Sequence, residues 1–178
     1  MYKNITNDDQ TTYEITKPGE YIFYFENKNG SITFNITCEN ASVYIYGLYQ
    51  GKNEDNFILH ITQNHTLPNA TSQSIIKSVL DDKSTFNFTG TICMGKKAIN
   101  SIAHLTNHNL LLSKYAHAMT KPQLEIAPSQ VECTHSATTA PLNNKQISYL
   151  QSRGLSKKYA KQLLINGFIN EIKKQNTP

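Results

Sequence analysis

From residue 11 to about 140, apolar and polar side chains alternate with a period of two in short runs, and this restricts the segment to a β architecture. Ile32, Phe34 and Ile36 alternate with Thr33 and Asn35, and Val43 and Ile45 alternate with Tyr44 and Tyr46. Phe57, Leu59 and Ile61 alternate with Ile58, His60 and Thr62, and Phe86 and Phe88 with Asn87 and Thr89. Tyr21 to Phe25 is a further aromatic and β-branched run. Turn signals separate the runs at Pro18-Gly19, Asn29-Gly30, Gly51, Pro68-Asn69, Asp81-Asp82 and Gly95. Strands spaced in this way build a sandwich, a barrel or a β-solenoid, and spacing does not choose among them. No strict internal repeat is visible.

Near residue 143 the period becomes helical. Asn143 or Asn144 can cap a helix containing Ile147, Tyr149 and Leu150, and Gly154 can end it in a left-handed conformation. Ser156 can cap a second helix, on which Tyr159, Ala160, Leu163, Leu164, Phe168, Ile169 and Ile172 form one apolar stripe. The chain thus divides into a β body over 1–142 and an αα-hairpin over 143–178. The stripe needs a cover, from the β body or from a partner.

The net charge is +4, and the surplus lies in the hairpin: from Lys145 onward seven basic residues face Glu171 alone. The surplus reads as a solvated helix face or a surface that docks a protein partner, and nucleic acid is not expected as a partner. The first residues are polar, and no run of about 18 apolar residues occurs, so neither a secretory leader nor a membrane span is expected and the location is read as cytoplasmic. The seven Asn-x-Ser/Thr sequons, at Asn4, Asn29, Asn35, Asn40, Asn64, Asn69 and Asn87, are then a product of Asn- and Thr-rich composition.

Cys38, Cys93 and Cys133 are far apart and unpaired in spacing, which argues against a disulfide framework or a self-contained zinc site. Cys38 and Cys93 read as small buried hydrophobes in strands. His60, His65 and His117 read as structural or surface residues. His104 and His108, four apart, could share a metal on a helix. Cys133-Thr134-His135 is different, because on a strand residues i and i+2 project to one face, about 7 Å apart. A thiolate and an imidazole suit iron, zinc or an iron–sulfur cluster, with further ligands from a partner chain. No nucleophile elbow, phosphate loop or carboxylate cluster is present, and the chain is not expected to be an enzyme.

Longer stretches carry a resemblance. Asn109-Leu110-Leu111-Leu112-Ser113, Thr120-Lys121-Pro122-Gln123-Leu124-Glu125-Ile126, Val131-Glu132-Cys133-Thr134-His135-Ser136-Ala137-Thr138 and Tyr149-Leu150-Gln151-Ser152-Arg153-Gly154 follow one another. Upstream stand His60, Asn69-Ala70-Thr71-Ser72, Lys77-Ser78-Val79-Leu80-Asp81-Asp82 and Phe88-Thr89-Gly90-Thr91-Ile92. In order and spacing these resemble the C-terminal half of the SufB/SufD family of iron–sulfur cluster assembly proteins, over roughly residues 55 to 172. Leu111 stands where SufB-like chains carry a cysteine, so the resemblance is to SufD, in a form shortened at its N-terminus.

The resemblance implies a right-handed parallel β-helix with a C-terminal two-helix segment, acting as a non-enzymatic scaffold subunit beside a SufB-like subunit and a SufC-like ATPase. It implies a site for a nascent cluster or iron at a subunit interface, at His135 and more weakly Cys133, with no tightly bound cofactor. It assigns ATPase docking to the hairpin, with Tyr149, Arg153, Tyr159, Leu163 and Phe168 as its exposed or apolar residues, and a homodimer to the isolated chain. Ser136 replaces the glycine that follows the histidine in the family. Two other readings accompany this one: a β-solenoid binding or structural protein without the assembly role, and a small metal-dependent enzyme using His104, His108 or His135.

Overall fold

A computed structural model of the chain describes residues 1–176. One sheet, here the first wall, contains β1 (Tyr2–Asn4), β3 (Gly19–Glu26), β5 (Ala41–Gly51), β7 (Thr71–Leu80), β9 (Ile102–Leu111) and β11 (Glu132–Pro141) in that order. The second wall contains β2 (Thr12–Ile15), β4 (Gly30–Ile36), β6 (Asn56–His65), β8 (Thr85–Met94) and β10 (His117–Ile126). Every pairing is parallel, and strands consecutive in sequence lie in opposite walls. Parallel strands need a crossover, and here each crossover is a strand of the other wall. The result is the β-solenoid among the three β architectures, with residues 20 to 32 apart in sequence stacked on one another.

The corners explain the asparagine content. Asn27, Asn40, Asn53, Asn69, Asp82 and Asn100 all have φ between 48° and 58°. Asn and Asp tolerate this left-handed region better than other side-chain-bearing residues. Asn40 and Asn69, two of the sequon asparagines, are therefore corner residues. Successive corners also bond: the Asn53 amide donates to Asp82 Oδ2 at 2.9 Å.

The alternating runs place Ile32, Phe34, Ile36, Val43, Ile45, Phe57, Leu59, Ile61, Phe86 and Phe88 in the lumen between the walls, as the period of two requires. Tyr49 stacks on Phe86 with ring centroids 4.4 Å apart, and Phe23 meets Phe34 at 4.9 Å. Three expectations need correction. Cys38 is buried but lies in the bend after β4, not in a strand. Cys93 lies in β8 but on its outward row, half-buried, with its thiol donating to Glu125 at 3.4 Å. Gly51 is the last residue of β5, not a turn, because it leaves room for Ser84: a Cβ there would come within 2.8 Å of it.

The two ends of the lumen differ. At the N-terminal end, Tyr13 belongs to a strand with a neighbour on one side only, yet it is 4 % exposed. β1 and the β1–β2 loop cover it: Lys3 Nζ of β1 stands 4.9 Å from its ring centroid, and its hydroxyl lies 3.1 Å from Asp8 Oδ2 and 3.0 Å from the Gln10 carbonyl in the loop. At the other end, among the described residues, the final coil has no such cover.

After β11 come α1 (Asn144–Ser152) and α2 (Lys157–Lys173). Asn143 caps α1 by accepting from the Lys145 amide at 2.9 Å, and Ser156 caps α2 by accepting from the Tyr159 amide at 3.3 Å. Gly154 takes φ 90° between them. The expected apolar stripe of α2 splits in two. Ile169 and Ile172 are buried on the outer face of the first wall against Tyr24, Tyr46, Leu48 and Val79. Tyr159 and Leu163, a few turns earlier, are 72 % and 52 % exposed. Among the described residues no helix is long and apolar enough to cross a membrane.

Candidate functional site

β11 pairs with β9 and β10 pairs with β8, and both are last in their walls. Among the described residues, the final coil therefore carries two free backbone edges and the uncovered end of the lumen. Such edges are templates for pairing unless something blunts them.

Register fixes which side chains meet at this end. Cys133 is paired with Ala103 and His135 with Leu105. Ala103 and Leu105 point into the lumen and are 0 % and 2 % exposed, so Cys133 and His135 occupy the same inward row one coil later. Cys133 is half-buried against the core, whereas His135 is exposed. On β10, Leu124 and Ile126 continue the inward row of Ile92 and Met94, and they are 39 % and 43 % exposed where their predecessors are buried. The expected i, i+2 pair is thus present on one face, at the mouth of the lumen. Burial, with Glu132 adding to it, pushes the Cys133 thiol above its ordinary pKa. A thiol must lose its proton before it binds a metal, so this shift works against Cys133 as a ligand.

The outward row of the same strands holds the remaining histidines of this region. His104 Nδ1 lies 2.6 Å from Thr134 Oγ1, and His108 Nδ1 lies 2.6 Å from Thr138 Oγ1. Both stand on β9, a strand and not a helix, so their four-residue spacing separates them by about 13 Å. That is too far to share one ion, which corrects the helical metal-site reading. Among the described residues no three His, Cys, Asp or Glu side chains gather to hold a metal. His60 and His117 are exposed, and His65 is fully buried with Nε2 2.7 Å from Ser72 Oγ.

The model of the SUF system FeS cluster assembly SufBD core domain matches residues 25–168. The chain belongs to the SufB/SufD family. Membership reaches further toward the N-terminus than the motifs alone, which begin near His60. The iron–sulfur cluster assembly protein SufD of Escherichia coli is 40 % identical over 101 residues, which are 57 % of this chain and 24 % of that protein. An iron–sulfur cluster assembly SufBD family protein of Synechocystis is 36 % identical over 112 residues, 63 % of this chain and 24 % of the relative. The SufD protein of Plasmodium falciparum is 29 % identical over 136 residues, 76 % of this chain and 9 % of the relative. The chain spans about a quarter or less of the length of these relatives.

Within this SufB/SufD fold, the sequence-derived hairpin residues divide. Tyr149, Tyr159 and Leu163 are 58 %, 72 % and 52 % exposed, and Arg153 lies over the Tyr149 ring at 5.3 Å. Tyr149, Leu150 and Leu164 line a shallow groove of about 390 Å³ between the helices. Phe168 is separate from this surface: it is half-buried, turned toward the first wall with Lys77 4.5 Å from its ring centroid. Sequence reasoning missed Leu124, Ile126 and Lys77. For Leu124 and Ile126 a signal existed in the spacing of two within Leu124-Glu125-Ile126. For Lys77 there was none.

Proposed function

We propose that this chain is a non-enzymatic, cytoplasmic subunit of an iron–sulfur cluster assembly scaffold, and that its final coil is the seam where a cluster is handled. A SufB-like subunit would pair with the free edges of β10 and β11. His135, standing at the mouth of the lumen, would then meet ligands of the partner around iron or a nascent cluster as cargo. The chain's own residues do three things in this scheme. Leu124 and Ile126 supply apolar surface that becomes buried on pairing. The edge amides and carbonyls of β11 fix the register of the partner strand. The His135 imidazole would offer a nitrogen lone pair to a borderline metal. A SufC-like ATPase would grip the hairpin at Tyr149, Arg153, Tyr159 and Leu163.

The observation that carries this reading is the contrast between the sealed N-terminal lumen end and the bare C-terminal one, with His135 in the inward row of the bare end. Family membership supports it, since the relatives are named for cluster assembly. Co-purification tests it: tagged chain expressed with SufB-like and SufC-like proteins of the same cell should retain both at micromolar concentration. Retention of neither would reject the reading and leave a solenoid that has the fold without the assembly role. Self-association of the isolated chain through the same edges would follow from the same free ladder.

A further inference from the structure

Lys77 is a charged residue on the outward row of β7, where side chains normally reach water, and it is 2 % exposed. What buries it is α2. Its Nζ donates to the Phe168 carbonyl at 3.1 Å and to Glu171 Oε2 at 2.5 Å, and stands 4.5 Å from the Phe168 ring centroid. All three contacts come from one turn of one helix. On its own wall, its register partners are Leu48 and His108.

An ammonium removed from water costs several kcal/mol unless its charge and its N–H groups are matched. Here the match exists only while α2 is docked. Glu171 itself has a side chain 63 % exposed, so it loses little when the helix lifts. Lys77 would regain water in that event, while Tyr24, Tyr46, Leu48 and Val79 would lose their cover. The docked and lifted positions are therefore two distinct states, not a continuum.

A second observation links this point to the final coil. His108 is the register partner of Lys77 on one side and of Thr138 on the other, and its Nδ1 lies 2.6 Å from Thr138 Oγ1. Thr138 belongs to β11, three residues beyond His135. One outward row thus runs from beneath α2 to the strand that carries the candidate site.

We propose that Lys77 is a positioning residue, a buried charge that latches α2 to the solenoid wall, so that a force applied to the hairpin reaches the His135 strand through Lys77, His108 and Thr138. This rests on the reading that a partner grips the hairpin, but the latch itself is a property of the chain alone and is tested on the chain alone.

The test is amide hydrogen exchange over residues 165–173 in the full chain, comparing wild type with Glu171→Ala, Lys77→Met and the double variant. Glu171→Ala should speed exchange by about tenfold or more, because it strips a buried charge of its partner. Lys77→Met, which keeps the side-chain volume but removes the charge and its hydrogen bonds to α2, should exchange faster than wild type but slower than Glu171→Ala, since it leaves no unpaired buried charge. The double variant should return to the Lys77→Met rate, a recovery that an ordinary surface carboxylate would not produce. Exchange of Glu171→Ala within twofold of wild type would overturn the latch, since Glu171 would then be one more surface charge. A double variant as fast as Glu171→Ala would also overturn it. A chain that binds no ATPase yet shows this pattern would keep the latch and lose the assembly reading.

Discussion

His135 stands in β11 where Leu105 stands in β9, in register across a parallel ladder and on the same inward row. Leu105 is 2 % exposed because another coil stacks upon it, and His135 is exposed because none does. The same position along the coil is a core position in one turn of the solenoid and a site in the next.

His135→Ala should leave thermal stability within about 0.5 kcal/mol of wild type, as substitutions at exposed positions do, while abolishing complementation of cluster maturation in cells. Leu105→Ala should cost about 2–5 kcal/mol through the cavity it opens. Chemical denaturation of both variants, beside a complementation assay of the first, checks the contrast. Normal maturation with His135→Ala would favour the solenoid without an assembly role.

Gly90 faces Leu105 across the lumen. A Cβ there would lie 2.4 Å from Leu105 Cδ1 and 2.9 Å from Phe88 Cζ. Gly90→Ala should therefore overpack the coil beneath His135 and cost about 1–3 kcal/mol, read as a lowered Tm.

The buried His65 makes stability fall on the acid side. Burial lowers its pKa from 6.5 to about 4. The unfolded state takes up its proton first, so the stabilisation is complete above about 6.5 and is lost as pH falls through about 4. The loss is on the order of 3 kcal/mol. Denaturation midpoints measured across this window should drop in wild type, and the slope between these limits should flatten in His65→Met.

Tyr159→Ser and Leu163→Ser test the hairpin surface. Both side chains are more than half exposed, at 72 % and 52 %, so Tm should hold within about 2 °C while retention of a SufC-like ATPase on the tagged chain falls at least tenfold. Unchanged retention in both variants would place any ATPase contact elsewhere.

The β body was legible in the sequence because strands such as β4 and β6 of the second wall have one face in the lumen and the other turned outward, so Ile32-Phe34-Ile36 and Phe57-Leu59-Ile61 alternate strictly with less buried residues. The helix caps at Asn143 and Ser156 and the left-handed Gly154 were legible for similarly local reasons. The solenoid was not, because coils range from 20 residues, Tyr2 to Ile22, to 32, Thr85 to His117, and a repeat of unequal turns leaves no fixed period. Nor was the inward direction of His135, which depends on its pairing with Leu105, 30 residues away. Lys77 was read only as part of a family motif, because its burial comes from a helix 91 to 94 residues further along the chain.

The most direct test is hydrogen exchange on the chain with and without a saturating SufB-like subunit. Protection should appear at the amides of residues 117–126 and 132–141, the free edges of the final coil. Binding that leaves those amides unprotected, or that protects the β1–β2 loop at the sealed end instead, would contradict the placement of the seam and of His135 within it.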